Sequence, residues 1–188
     1  MFPMVSRDER ELRFEQIYIP LFPVIYRVAY GIVGDAGRAE DLCQEAFIRY
    51  VELRRPLPDL QQTRYWLIRV VRNLSLNVEK RRGREARAYE RAGRLAPRHA
   101  EPADGELLRE ETRSTVQRAL AAIPHGLRTA LVLKEYAGLN YREIGSIMRI
   151  SDTNVKVRIH RARERLAREL GRLERGEAGA AGGVGDVP

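Results

Sequence analysis

The sequence predicts an all-α protein: two small helical domains joined by a flexible linker, the C-terminal one containing a helix-turn-helix. Three observations lead there. Apolar residues recur at spacings of three and four through most of the chain, the period of an amphipathic helix. That periodicity lapses in GREARAYERAGRLAPRHAEPADGE, residues 83–106, which holds two prolines and no sustained apolar face. Near the C-terminus, YREIGSIMRISDTNVKVRIHRAR, residues 141–163, writes two short helices about a tight turn, with Lys156, Arg158, Arg161 and Arg163 on the second. The expected divisions are an N-terminal domain over 11–82, a linker over 83–112, a C-terminal domain over 113–170 and a disordered tail over 171–188.

In FEQIYIPLFPVIYRVAYGIVGD, Phe14, Ile17, Leu21, Val24, Ile25, Val28 and Ile32 share one broad face. Pro20 and Pro23 each either start a helix or kink one. GDAGRAED reads as a turn, and AEDLCQEAFIRYVELRR as the next helix. Leu42, Ala46, Val51 and Leu53 form its inner stripe, extended by Phe47 and Tyr50, while Glu40, Asp41, Gln44 and Glu45 make its first half acidic and polar. PLPDLQQ is a loop. In TRYWLIRVVRNLSLNVEKRR, Trp66, Val70, Leu74 and Val78 fall four apart, with Leu67, Val71 and Asn77 close by, along a long amphipathic helix with a basic end. The linker segment is compatible with partial helix. Leu107 to Gly126 reads as a helix with Val116, Leu120 and Ile123 inward, and LRTALVLKEYAG as another, ending at Gly138.

Composition narrows the function. The chain has 188 residues, is 32% charged and carries a formal net charge of +8, most of the positive charge being arginine. That balance favours anionic partners, nucleic acid first and a membrane surface second. The single cysteine, Cys43, permits no disulfide within the chain and fits a reducing compartment; it reads as a small buried side chain. No stretch approaches the 18 or so consecutive apolar residues of a membrane span. The N-terminus turns charged too early for a signal peptide. A cytoplasmic protein without membrane insertion is expected. His99, His125 and His160 are far apart in sequence, and there is no GxxxxGK or GxGxxG motif. No enzyme, metal or cofactor is therefore expected.

The helix pair carries the sharpest signal. Asn140 with Glu143 at the third helical position forms a capping box. Ile144, Ile147 and Met148 face inward, and Ser151 caps the following helix. Val155, Ile159, Ala162 and Leu166 lie on one side of that helix; Thr153, Asn154, Val157, Arg158 and Arg161 lie on or beside the other. A helix of this kind, held by a short partner, fits the major groove. Arginine can donate twice to guanine, and Asn154 can address adenine or a phosphate. Lys156, Arg163 and Arg165 suit phosphates or a screened surface. The competing reading is a solvated basic helix in a bundle.

Taken together, three segments resemble a known family. DLCQEAFIRY (41–50), YWLIRVVRNLSLNVEKRR (65–82) and AIPHGLRTALVLKEYAGLNYREIGSIMRISDTNVKVRIHRARERL (122–166) are similar, in order and separation, to bacterial RNA polymerase sigma factors of the sigma-70 family, extracytoplasmic-function (ECF) type. The resemblance implies that the first domain docks on the clamp helices of the polymerase largest subunit through Asp41, Gln44, Glu45 and Phe47. It implies capture of the melted −10 strand by loop 54–62 and the following helix, with Asp59, Gln61, Gln62, Arg64, Tyr65, Arg69 and Arg72 as contacts. Trp66 reads more readily as core than as a base-stacking ring, and Tyr65 is open between the two. The second domain is implied to read −35 duplex DNA through Ser151, Thr153, Asn154, Lys156, Val157, Arg158 and Arg161, and to touch the polymerase flap. An anti-sigma factor is a further implied partner.

The chain departs from the family pattern in places. Arg149 stands in the helix-turn-helix where glycine is usual, a strained choice if the backbone there is left-handed. Thr153, Asn154 and Val157 also differ from common residues on the reading helix, and Val157 suits either a thymine methyl or packing. The −10 loop, PLPDLQQ, lacks a phenylalanine-arginine-glycine sequence. The rival class is an ordinary two-domain helix-turn-helix regulator that does not join the polymerase; a helical adaptor without DNA binding is a third.

Overall fold

The computed structural model describes residues 7–53, 57–91 and 107–181. Among them the chain forms seven helices and no strand: α1 (Arg7–Val33), α2 (Ala36–Val51), α3 (Leu60–Arg91), α4 (Leu107–Ala121), α5 (His125–Glu135), α6 (Tyr141–Met148) and α7 (Asp152–Ala181). They belong to two units, residues 1–98 and 99–188, each with its own core.

In the first unit α1, α2 and α3 all pack on one another. α1 is a single helix that contains both Pro20 and Pro23, so neither proline starts a helix. Both rings are exposed. Leu21, Ile25, Val28, Ala29 and Ile32 are buried. The helix ends where Gly34 takes a φ of 75° and its amide donates to the Tyr30 carbonyl at 2.8 Å. α2 then begins three residues earlier than its apolar pattern indicates, because Asp35 caps it: Asp35 Oδ1 accepts from the Arg38 amide at 2.8 Å. Its core residues are Ala39, Leu42, Cys43, Ala46 and Phe47. Val51, expected on the inner stripe, is 64% exposed, and Leu53 lies beyond the helix end. At 100° per residue, Val51 falls on the side of Asp41, Gln44 and Ile48 rather than that of Leu42 and Ala46.

α3 begins inside the expected loop. Asp59 Oδ1 accepts from the Gln62 amide at 2.7 Å, which starts the helix at Leu60. Residues 54–56 of the expected loop lie outside the described residues. The buried line is Thr63, Leu67, Ile68, Val71 and Ser75; Leu67 and Val71 were expected beside the stripe, while Trp66, Val70, Leu74 and Val78, expected at its centre, are half-buried. Two hydroxyls let polar residues share that buried line. Thr63 Oγ1 donates to the Asp59 carbonyl at 2.9 Å and Ser75 Oγ to the Val71 carbonyl at 2.8 Å, so both polar side chains enter the core satisfied. The helix continues to Arg91, giving the start of the linker the helical character the sequence allowed; residues 92–106 lie outside the described residues.

α1 also contains Phe14–Val33, a stretch with mean hydropathy 1.3 that has the length and composition of a membrane span. It is interrupted by Glu15 and Arg27, and its buried side chains are those that pack against α2 and α3.

In the second unit α7 packs on α4, α5 and α6. The break expected after Gly126 falls earlier, at residues 122–124, and α5 starts at His125. Pro124 accounts for this: it cannot donate into the α4 ladder, but its fixed φ suits the entry to a helix. The Leu120 carbonyl accepts from the Ile123 amide at 3.1 Å, and a buried arginine adds a donor to the end of α4. Arg128 Nη1 donates to the Leu120 and Ala121 carbonyls at 3.5 and 3.4 Å. Leu120 and Ile123 are buried as expected, while Val116 is half-buried. α7 runs to Ala181, well into the segment expected to be disordered; residues 182–188 lie outside the described residues.

Candidate nucleic-acid interface

α6, the turn and α7 form the helix-turn-helix. The capping box is complete: the Glu143 amide donates to Asn140 Oδ1 at 2.9 Å and the Asn140 amide to Glu143 Oε2 at 2.8 Å. Arg149 has φ 58° and ψ 49°, the left-handed conformation that its position suggested, and the Ile150 amide reaches back to the Gly145 carbonyl at 3.0 Å. The glycine this turn requires sits one turn earlier. A Cβ on Gly145 would stand 2.8 Å from the Ile150 carbonyl oxygen. The chain then enters α7, where Ser151 Oγ accepts from the Asn154 amide at 3.3 Å.

α7 buries Val155, Ile159 and Ala162. Thr153, Asn154, Lys156, Val157 and Arg161 are exposed on or beside the opposite side, and Val157 is 42% exposed among polar neighbours. Arg158 leans to one flank: it is half-buried, its Nε donates to Asn154 Oδ1 at 3.0 Å, and a Cβ on Gly126 of α5 would lie 3.0 Å from its Nη1. Lys156 leans to the other, 5.7 Å from the Tyr141 ring centroid, with Lys134 at 5.2 Å from the same ring. Two ammonium groups from α5 and α7 thus converge on one aromatic of α6. Arg163, expected at a phosphate or on a screened surface, forms an ion pair with Glu135 at 2.7 Å, and that hydrogen bond raises its pKa further above the usual arginine value.

The first unit presents two other surfaces. On α2, Asp41, Gln44, Ile48 and Val51 recur at spacings of three, four and three, and all four are exposed, Ile48 by 53%. Glu45 is half-buried beside them and bonded to Arg49 Nε at 2.7 Å. Phe47 does not belong to this surface. It is 3% exposed, with ring centroids 4.8 Å from Tyr18 and 6.2 Å from Phe14, so it fixes α2 to α1 from within.

On α3, Asp59 is the helix cap, and Gln61 and Gln62 occupy the first turn rather than a loop. Gln62 Nε2 also donates to Asp59 Oδ2, at 3.1 Å. Gln62, Arg69, Asn73, Asn77 and Lys80 form an exposed strip down the helix, with half-buried Trp66 between them and edge-on to Tyr50 at 6.3 Å. Tyr65 and Arg72 border the strip, both half-buried. Arg64 falls on another side, shared with Ile68, Val71 and Ser75.

Ile48, Lys134 and Tyr141 are the residues that sequence reasoning missed. Ile48 was detectable as an isoleucine out of phase with the core stripe of α2. The approach of Lys134 and Lys156 to Tyr141 depends on how three helices pack and has no local signature.

A helix-turn-helix with exposed hydrogen-bond donors, in a chain of net charge +8, defines a DNA-binding protein. The comparisons with known proteins narrow that class. The Sigma-70 region 2 model matches residues 18–85, and the Sigma-70, region 4 model matches residues 113–166. The RNA polymerase sigma-H factor of Pseudomonas aeruginosa is 33% identical over 179 residues, covering 89% of this chain and 92% of that protein. ECF RNA polymerase sigma factor SigW of Bacillus subtilis is 35% identical over 155 residues, covering 78% and 82%. SigE of Mycolicibacterium smegmatis is 36% identical over 151 residues, of which this chain spans 55% of the length. The sigma factor RpoE in its complex with the anti-sigma factor NepR, from Bartonella quintana, has the same fold, with a TM-score of 0.63, 24% identity, and coverage of 85% and 97%. The chain belongs to the ECF subfamily of sigma-70-type bacterial RNA polymerase sigma factors. Its function is accordingly that of a non-catalytic transcription-initiation factor that confers promoter recognition on the polymerase.

Proposed function

We propose that the two units divide promoter recognition as follows. The exposed α2 stripe of Asp41, Gln44, Ile48 and Val51, with Glu45 beside it, docks on the clamp helices of the polymerase largest subunit. An acidic and apolar strip on a strongly basic chain suits a protein partner rather than DNA. Asp59, Gln61 and Gln62 at the start of α3, with Tyr65, Arg69 and Arg72, hold the melted −10 strand through polar contacts and one ring. Arg64 supports this surface from its inner side. α7 reads the −35 duplex: Thr153, Asn154, Val157, Arg158 and Arg161 address bases, while Ser151 and Lys156 address phosphates. The second unit also meets the polymerase flap, and the linker runs through the polymerase towards the RNA exit path. The chain works in the cytoplasm, and a separate anti-sigma protein holds it inactive; the solved RpoE–NepR complex supports that last part by example.

The observation that carries the reading is the exposed donor-rich face of α7 on a sound helix-turn-helix, in a chain matched by both family models. Two variants test the division. Arg158→Ala should weaken duplex binding and leave polymerase affinity unchanged; Asp41→Ala with Glu45→Ala should do the reverse. If the acidic double variant keeps polymerase affinity within about twofold, a shift of only ~0.4 kcal/mol, the docking face is misplaced.

A further inference from the structure

Gly126 stands in the first turn of α5, and its backbone does not call for glycine. Among the described residues the glycines with positive φ are Gly34 and Gly138, so an L side chain at Gly126 would be unstrained. A glycine within a helix is otherwise a cost, because it gives up more backbone freedom than alanine. What Gly126 supplies is room. Beyond its own helix, a Cβ there would meet Nη1 of Arg158 at 3.0 Å and Cζ of Arg158 at 4.0 Å. Gly145 is the contrasting case: its Cβ would meet the Ile150 carbonyl oxygen, so the fold itself needs that glycine. At Gly126 the obstacle is the tip of one side chain, and that side chain is on the reading helix.

Arg158 is confined from two sides. Its Nε donates to Asn154 Oδ1 at 3.0 Å on its own helix, and its Nη1 lies over the bare backbone of Gly126 on α5. The residue is half-buried. A guanidinium that gives two hydrogen bonds to a base needs one plane and one depth in the groove. Confining it before DNA arrives removes part of the cost of ordering it. We propose that Gly126 is a positioning residue for Arg158: the side chain that α5 lacks is the berth that fixes the guanidinium for duplex reading. α5 thereby sets −35 affinity and base preference without touching DNA. The proposal rests on the −35 reading above, in which Arg158 addresses a base.

The test uses holoenzyme assembled from the full chain and core polymerase. Wild type, Gly126→Ala, Gly126→Leu and Arg158→Ala are compared, together with both Gly126 changes in the Arg158→Ala background. Promoter affinity is titrated on a fixed duplex. Base preference is read by selection from a duplex pool randomised over one helical turn upstream of a fixed −10 element. Affinity should fall about twofold in Gly126→Ala and about fivefold or more in Gly126→Leu. The melting temperature of the free chain should not fall in Gly126→Ala, since alanine is the better helix former. At the base position whose preference disappears in Arg158→Ala, Gly126→Leu should weaken the same preference and leave the other positions as they are. With Arg158 already removed, neither Gly126 change should lower affinity further. Unchanged or raised affinity in both single Gly126 variants overturns the proposal. So does an equal loss with and without Arg158, because the added side chain then acts on the fold or α5 itself meets DNA. Gly126→Ala decides alone if the leucine unfolds the second unit. If Arg158→Ala by itself alters neither affinity nor any base position, the −35 reading of Arg158 falls and the proposal falls with it; the other negative outcomes leave that reading standing.

Discussion

Arg149 offers a sharp test of the helix-turn-helix geometry. It holds the left-handed conformation at φ 58° and ψ 49°, where its Cβ crowds the following carbonyl. That conformation costs a non-glycine residue ~1–2 kcal/mol. Arg149→Gly removes the cost but loosens the unfolded chain, which takes back ~0.4–1 kcal/mol. The side chain is exposed, so little packing is lost. The difference is a net gain of ~0.5–1 kcal/mol for the second unit. If the α6 amides exchange through unfolding of that unit, their protection should rise by about two- to fivefold. Hydrogen exchange on the full chain, read by NMR or by peptide mass spectrometry over 141–160, measures this directly. The α3 amides in the first unit serve as the internal control and should not change. Faster exchange in α6 after the substitution would refute the reasoning, because it would mean that the arginine stabilises the turn. Gly145→Ala should behave in the opposite sense, since its Cβ would meet the Ile150 carbonyl oxygen at 2.8 Å.

Three other outcomes are expected. Ile48→Asp should lower affinity for core polymerase while leaving the helical signal unchanged, because Ile48 is 53% exposed; unchanged affinity in a polymerase pull-down titration would move the docking face elsewhere. Arg128→Met should destabilise the second unit by ~1–3 kcal/mol in thermal unfolding, since it removes the charged donor from the Ala121 carbonyl, while the Leu120 carbonyl keeps the Ile123 amide. Burial, and then the nearby Glu40 carboxylate, push the Cys43 thiol from its ordinary 9.0 up to about 12. Its folded pKa is raised, so its contribution to stability is complete below about pH 9 and is lost as pH rises towards 12. Cys43→Ala should therefore flatten the alkaline arm of a stability–pH curve, and thiol-reactive probes should label the native wild type slowly at pH 8, with a curve unchanged by the substitution counting against this account.

The sequence was most informative where local chemistry decides structure. The Asn140–Glu143 capping box, the Ser151 cap and the buried line Val155–Ile159–Ala162 all follow from nearest neighbours along the chain. The left-handed backbone at Arg149 came instead from the family pattern, in which glycine is usual there. The apolar count failed where polar residues enter the core. Thr63 and Ser75 bond to their own helix and so take buried places beside Leu67 and Val71, while Trp66 and Val70 are half-buried. Helix starts failed where a capping aspartate outranked apolar periodicity, at Asp35 and Asp59. The second of these moves Gln61 and Gln62 from a loop into a helical turn. Phe47 is buried, as its place on the inner face of α2 indicated, with three rings of α1, Phe14, Tyr18 and Phe22, packed around it; its docking role came from the family resemblance alone. The Asn154–Arg158 bond and the convergence of Lys134 and Lys156 on Tyr141 depend on side-chain placement across turns and helices, which a linear pattern does not encode.

The central claim is that this chain supplies promoter recognition to RNA polymerase. Run-off transcription with purified core polymerase on a pool of genomic promoter fragments, with and without the protein, tests it most directly. The account predicts initiation at defined start sites only when the protein is present, with two shared sequence elements upstream of the aligned starts. No new start sites, together with no binding to core polymerase, would contradict it.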